Sequence, residues 1–254
     1  MSGTPAHVVI LAAGVGSRLS GTARRPKWLT PVLDRTIASQ QLTALAALRD
    51  RLDLQVDVVT GHAADLVTAE LSGFQGAEPI HNPQYAELNN WFTVLTALRE
   101  RRARQRTGTF VVVNSDLWAP SAWFEQALQD VVSTEAPALL VDTKRPLTDE
   151  AMKVSATQDG GRLVATGIGK VGVTDPLGEY TGVLAVPADA LPTYEAALEG
   201  FVADASRGNA WYEHAVGVTI EQGQKWVLVE APGPSWVEID DDIDLATATA
   251  LAAS

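Results

Sequence analysis

The 254-residue sequence contains no cysteine. Disulfides, thiolate metal centres and cysteine nucleophiles are all excluded by that one absence. Histidine is scarce: His7, His62, His81 and His214 are the four in the chain. No two of them stand at zinc-site spacing. Long apolar runs are missing too, and none approaches the roughly 20 residues of a membrane span. The first apolar run, His7-Val8-Val9-Ile10, comes too early to leave room for a secretory leader. A soluble, cytoplasmic chain with no membrane partner is therefore expected. Positive charge is in short supply: 19 lysines and arginines face 31 aspartates and glutamates, for a net charge of -12. That balance disfavours a surface that wraps nucleic-acid phosphates. Small anionic substrates stay open, because a few local cations outweigh a distant negative surface.

What is present alternates. His7–Ala12 reads as a buried strand ended by Gly14, and residues 36–48 carry apolar side chains at helical spacing. Val56–Thr60 reads as a strand, Ala63–Leu71 as a helix and Ala77–His81 as a short strand. Asn89–Ala103 reads as a helix, and Thr109–Asn114 as a strand rich in β-branched residues. This is the pattern of an α/β fold: a Rossmann-like mixed, mostly parallel sheet flanked by helices. After about Pro137 the texture changes. Residues 151–157 and 162–168 flank Asp159-Gly160-Gly161 as a hairpin. A strand at Glu179–Val186, a helix at Trp211–Gln222, a strand at Lys225–Val229 and a closing helix at Asp241–Ala252 follow. This half reads as a small β-rich extension forming the lid or acceptor side of a cleft. With no repeat and no long linker, residues 1–254 are expected to form a single domain.

Three constellations carry chemistry. The first is Leu11-Ala12-Ala13-Gly14-Val15-Gly16-Ser17-Arg18-Leu19, followed by Pro26-Lys27. A glycine loop directly after a strand lets backbone N–H groups approach phosphate oxygens. Leu19 stands where a dinucleotide fingerprint needs its third glycine, and no Gly-Lys-Ser/Thr follows as in a P-loop. Arg18 and Lys27 bring cations to the same cradle, and Lys27 is one of only five lysines in the chain. The second is Val111-Val112-Val113-Asn114-Ser115-Asp116. An aspartate just past a buried strand lies where open α/β sheets hold ligands, although a turn or cap role is the plainer alternative. The third is Trp236-Val237-Glu238-Ile239-Asp240-Asp241-Asp242-Ile243-Asp244. Glu238 and Asp240 alternate onto one face of an extended stretch, as a pair of metal ligands would. Asp241, Asp242 and Asp244 read instead as caps and dipole partners of the last helix. The run Arg99, Arg101, Arg102, Arg104 and Arg106 reads as a solvated helix end matched to its dipole.

The opening run resembles that of the nucleotidyltransferases of the nucleotide-diphosphosugar transferase superfamily. The resemblance implies that Leu11, Ala12, Ala13, Gly14, Gly16 and Ser17 wrap a nucleoside triphosphate, with Arg18 and Lys27 stabilising its phosphates. It implies a catalytic Mg²⁺ on Asp116, Glu238 and Asp240, with Ser115 beside the nucleotide. Trp28 departs from the smaller residue that often follows the Pro-Lys. Val59-Thr60-Gly61, Asn82-Pro83-Gln84-Tyr85 and Asn89-Asn90 resemble the base-binding region of cytidylyltransferases that act on phosphocholine, inositol phosphate or aminoethylphosphonate. In that branch Thr60, Gly61, Asn82 and Asn89 would surround the base. Segments around Lys153, Lys170, Glu179 and Trp211-Tyr212-Glu213-His214 are most like the phosphonate cytidylyltransferases. They imply that Lys153, Lys170 and Glu179, with Trp211, Tyr212 and Glu213, bind the acceptor, lysines on its anion and aromatics near an ammonium or hydroxyl. The expectation is a Mg²⁺-dependent transfer of CMP from CTP to a small phosphonate or phosphate monoester. Residues 1–136 would then be the nucleotide-binding half and residues 137–254 the acceptor-binding half. Two alternatives remain: a sugar-1-phosphate nucleotidyltransferase, and a nucleotide sensor without turnover.

Overall fold

The structure, a computed structural model, describes residues 3–16, 18, 19 and 25–253. β1 (Thr4–Ala12) is buried from Ala6 onward. Its side chains alternate between two cores, as a strand covered on both faces must. Ala6, Val8, Ile10 and Ala12 enter one core, Val9 and Leu11 the other. β2 (Pro31–Val32) and β3 (Arg35–Thr36) form a small hairpin ahead of α1 (Ile37–Ala47). Thr36 caps that helix, accepting the Ser39 N–H at 3.0 Å. β4 (Leu52–Thr60), α2 (Ala64–Leu71), β5 (Ala77–His81), α3 (Asn90–Ala103) and β6 (Thr109–Asn114) continue the alternation read from the sequence.

β7 (Leu117–Trp118), α4 (Ser121–Ser133) and β8 (Ala138–Asp142) lead into the second half. There the hairpin of β9 (Lys153–Asp159) and β10 (Arg162–Gly169) precedes β11 (Gly178–Val186). α5 (Leu191–Val202), α6 (Tyr212–Glu221), β12 (Val227–Glu230), β13 (Val237–Glu238) and α7 (Asp242–Ala252) complete the chain. Sequence reading passed over α4, β8 and α5. α4 and α5 begin without a side-chain cap, behind Pro120 and with Pro192 in the first turn. β8 is buried at every position and too short to show a period.

Nine strands make one sheet in the order β5-β4-β1-β6-β11-β8-β12-β10-β9. The first four run parallel. β11 joins antiparallel to β6, so the strand-rich second half continues the central sheet. β8 and β12 are parallel, while β10 and β9 turn back antiparallel. α1, α2, α4 and α7 cover one face and α3, α5 and α6 the other. Trp28 and Trp236 fill the first core, Trp91 and Trp226 the second. Each large apolar side chain buried in this way stabilises the fold by roughly 1.5–3 kcal/mol.

The arginine run after α3 is not simply a solvated face. Arg104 and Arg106 each donate to Asp57 Oδ1, at 3.1 and 3.0 Å. Asp57 sits in the middle of β4 with no exposure, and its Oδ2 meets His7 Nε2 at 2.8 Å. Arg101 is buried and donates to the carbonyls of Thr107 and Gly108. Only Arg99 and Arg102 match the expected exposed role, pairing with Glu199 and Glu195 of α5. No helix among the described residues is long and apolar enough to cross a membrane.

Candidate active site

The parallel strands β1, β4 and β6 end together, with Leu11 level with Asn114 and Ala12 level with Thr60. Ligands of open α/β sheets bind beyond such carboxyl ends. The loop after β1 is fastened to the loop after β4 by the His62 N–H, which donates to Ala13 O at 3.1 Å. Gly16 has φ +65°, and a Cβ there would stand 2.9 Å from Lys27 Cβ. Glycine is what lets this loop turn left-handed and lie directly against Lys27. Ala13, Gly14 and Gly16 line a cavity of about 520 Å³, and Leu11, Arg18 and Lys27 line it with them. Ala12 is buried just beneath. Ser17 lies outside the described residues.

Asp116 stands two residues past the end of β6, and the short strand β7 after it pairs with β13, setting Leu117 opposite Glu238. The Ile239 N–H also donates to Asp116 O at 2.9 Å. Backbone pairing thus carries Glu238 and Asp240 across the chain to Asp116. One carboxylate oxygen from each of the three lies within 4.8 Å of the other two. Lys27 Nζ donates to Asp116 Oδ2 at 3.0 Å and to Asp240 Oδ1 at 2.5 Å. Arg18 pairs with Asp240 Oδ2 at 2.7 Å. Burial alone would lower the Lys27 pKa, but Asp116 and Asp240 outweigh it and raise it. Asp240 is held below its ordinary value because Lys27 outweighs burial. Glu238 is an exposed residue; enclosure of its carboxyl first, then Asp116 and Asp240 beside it, raise its pKa above the ordinary value. Three acids this close cannot all ionise without further positive charge. Asp116 Oδ1 is buried with no hydrogen-bond partner. An orphaned carboxylate oxygen beside two more carboxylates suits a hard divalent cation. Asp241 and Asp244 cap α7 as expected: Asp241 accepts the N–H groups of Ile243 and Asp244, and Asp244 accepts that of Asp241.

Lys170, Trp211 and Glu213 line the same cavity. Lys170 Nζ pairs with Glu150 at 3.1 Å and lies 5.5 Å from the Trp211 ring centre. The Trp211 ring also stacks on His214. The tryptophan therefore already holds a cation of the chain itself. Glu213 is 5% exposed, and its Oε2 has no hydrogen-bond partner. Burial pushes its carboxyl up to about 7. Asn89 and Ser115 line the same cavity. Asn89 caps α3, its Oδ1 accepting the Asn90 N–H at 2.7 Å and its Nδ2 donating to Asn209 O at 3.2 Å.

Seven described residues expected in the site do not line the cavity: Ala12, Thr60, Gly61, Asn82, Lys153, Glu179 and Tyr212. Thr60 is buried and spends its hydroxyl on Ile80 O. Gly61 lies under Tyr85, which does line the cavity. Asn82 is buried, bonded to Thr93 and to the Gln84 N–H. These three shape the loop beneath the expected base position. Lys153 aims its ammonium at the carbonyls of Asp149, Ala151 and Lys170. Glu179 sits opposite Lys153 on β11. Tyr212 is fully buried, with its hydroxyl on Asn114 and Tyr180. Conversely, Asn114, Met152 and Asn209 line the cavity without having been singled out. Asn114 carried a readable signal, a polar residue ending the same strand that delivers Asp116.

Residues 8–215 match the family model of the MobA-like NTP transferase domain. The chain belongs to that family. A curated relative, CMP-5'-(3-aminopropyl)phosphonate synthase of Streptomyces rubellomurinus, is 30% identical over 94% of this chain and 38% of its own length. The bifunctional protein GlmU of Thermobifida fusca is 28% identical over 97% of this chain and 50% of its own. The chain thus spans half or less of the length of these relatives. Among solved structures, the CTP:phosphocholine cytidylyltransferase of Streptococcus pneumoniae superposes with a TM-score of 0.78 at 17% identity, covering 98% of this chain and 99% of that one. At that identity the likeness concerns the fold.

Proposed function

We propose that this NTP transferase moves a cytidylyl group from CTP to a small phosphonate or phosphate monoester carrying an amine, and releases pyrophosphate. The observation that carries the reading is the composition of one cavity. A glycine loop, a lysine, an acidic triad and a buried Glu213 with one unpaired oxygen line it together. A volume of about 520 Å³ suits a nucleotide with a small acceptor. The preference for cytidine and for an aminated acceptor is supported by the aminopropylphosphonate synthase relative.

In this reading an acceptor oxygen attacks the α-phosphorus of CTP in line. The bond from that phosphorus to the pyrophosphate bridge breaks, and pyrophosphate carries away the electron pair. The acceptor's second pKa is about 6, so it arrives already anionic and needs no general base. Backbone N–H groups of the glycine loop hold the phosphates. Lys27 and Arg18 exchange their carboxylate partners for phosphate oxygens. Lys170 takes the acceptor's anion, and Glu213 takes its ammonium. A Mg²⁺ ion held by Asp116, Glu238 and Asp240 would supply charge neutralisation at the transferring phosphoryl group. The residues lower the barrier by positioning and by fixed charge.

The test is pyrophosphate release from CTP and Mg²⁺ with a panel of acceptors: 2-aminoethylphosphonate, 3-aminopropylphosphonate, phosphocholine and a polyol phosphate. Turnover with an aminated acceptor supports the reading. The GlmU likeness favours a second reading, transfer to a sugar 1-phosphate. Replacing CTP by UTP, GTP or dTTP in the same assay separates the two. Absence of turnover with every pair would leave a nucleotide sensor.

A further inference from the structure

Asn114 ends β6 two residues before Asp116, and it lines the cavity between the acidic triad and Glu213. Its side chain packs closely against Gly182, which has φ +86°. A Cβ at Gly182 would stand 2.8 Å from Asn114 Nδ2 and 2.9 Å from Asn114 Cβ, so any other residue there would displace the amide. The register of β11 against β8 slips between Tyr180 and Leu184. The antiparallel register of β11 on β6, with Val183 opposite Val113, brings Gly182 against Asn114.

The hydrogen bonds fix a direction. Tyr212 Oη donates to Asn114 Oδ1 at 2.8 Å. Tyr212 has one hydroxyl proton, so its 3.0 Å contact with Tyr180 Oη must be donated by Tyr180. Both tyrosines are buried. Tyr180 to Tyr212 to Asn114 Oδ1 is therefore a one-way chain ending on the amide carbonyl. The Asn114 Nδ2 protons are left over, and among the described residues no acceptor meets them. A neutral donor held by a rigid chain beside a charge-transfer centre stabilises a developing oxyanion without first drawing in a counter-ion.

We propose that Asn114 is a further catalytic residue, donating from Nδ2 to an anionic phosphoryl or phosphonyl oxygen. Tyr212, backed by Tyr180, is the positioning residue that sets its direction. The inference rests on the transfer reading given above, and its test separates the two. Steady-state kinetics with CTP, Mg²⁺ and an accepted acceptor are compared for the full chain and for Asn114→Ala, Asn114→Asp, Tyr212→Phe and the double variant Asn114→Ala/Tyr212→Phe. Loss of one such donor lowers turnover about 10²–10³-fold. Asn114→Asp, which replaces the donor by an anion, is expected to be at least as slow as Asn114→Ala. Tyr212→Phe keeps the ring and is expected to lower kcat about tenfold with KM for CTP unchanged. The decisive outcome is non-additivity: the double variant is no slower than Asn114→Ala alone. Additive losses, or a normal kcat for Asn114→Asp or Tyr212→Phe, overturn the proposal. If the wild-type chain turns over no substrate pair, the transfer reading falls, and calorimetry with inorganic phosphate tests the amide by itself. Phosphate then binds Asn114→Ala at least tenfold more weakly than wild type, and equal affinities overturn the inference.

Discussion

Two acids are buried on the same side of the central sheet, and they are treated oppositely. Asp57 lies in the middle of β4, met on one oxygen by His7 and on the other by Arg104 and Arg106. Glu213 opens α6 and lines the cavity with Oε2 unpaired. Burial acts on both. At Asp57, His7 and Arg106 outweigh it and hold the pKa below its ordinary value. At Glu213 burial outweighs the backbone and Tyr212 contacts that oppose it, and the pKa rises to about 7. A buried charge fully satisfied by the chain belongs to the scaffold. One left unsatisfied at a cavity wall is a cost the fold carries, and a ligand of opposite charge removes it. The acidic triad stands between these cases: Lys27 meets Asp116 and Asp240, and Arg18 meets Asp240, while Asp116 Oδ1 is left without a partner.

The largest effect expected is at the satisfied acid. Asp57→Ala removes the partner of buried His7 and leaves Arg104 and Arg106 only the exposed carboxylates of Glu78 and Glu100, and should cost about 3–5 kcal/mol of stability. At roughly 2–4 °C per kcal/mol for a chain of this size, the melting midpoint falls by at least about 6 °C. A fall under about 2 °C would mean that the pairing is decorative. Lys27→Ala should lower turnover about 10²–10³-fold while circular dichroism reports an intact fold. Near-normal turnover would remove Lys27 from the chemistry. Glu213→Gln should behave unlike Asp57→Ala. It should raise KM for an aminated acceptor about ten- to hundredfold, the worth of a charge-assisted hydrogen bond of about 1.5–3 kcal/mol. KM for CTP should hold, and the ligand-free melting midpoint at pH 8 should not fall. A loss of stability matching that of Asp57→Ala would erase the distinction between the two acids.

The smallest effect is in pH dependence, where the two acids have opposite signs. Between the ordinary glutamate value of 4.5 and about 7, folded Glu213 holds a proton that the unfolded chain has released. Its contribution to stability therefore falls as pH rises through that window. Asp57 has a depressed pKa, so its contribution is complete above the ordinary carboxylate range and is lost on acidification. His7, held neutral by burial, adds to the same acid sensitivity. The melting midpoint of Glu213→Gln minus that of wild type should thus grow more positive from pH 5 to pH 8. A difference that does not change with pH would contradict the buried, proton-holding Glu213.

The sequence made much of this site legible because its signals are local. A strand followed by Gly-x-Gly, and an aspartate just past a β-branched strand, can be read without knowing what packs nearby. Glu238 and Asp240 were legible as a face, though their meeting with Asp116 depends on the β7–β13 pairing, which two-residue strands do not announce. The directions of Lys153 and Tyr212 were not legible, because residue type says nothing of direction. Lys153 turned to backbone carbonyls, and Tyr212 turned inward to Asn114. The Asp57 network escaped for a related reason. His7, Asp57 and the arginines after α3 lie on separate elements, and only the sheet order brings them together. A charged residue interrupting the Val56–Thr60 strand was the one cue on offer.

Phosphorus NMR of the full chain with CTP, Mg²⁺ and 3-aminopropylphosphonate or 2-aminoethylphosphonate tests the central claim most directly. Transfer from CTP to an aminated acceptor predicts two coupled resonances of a mixed phosphonate–phosphate anhydride, growing together with pyrophosphate as CTP disappears. CTP left intact with both aminated acceptors, while UTP and a sugar 1-phosphate are consumed, would contradict it.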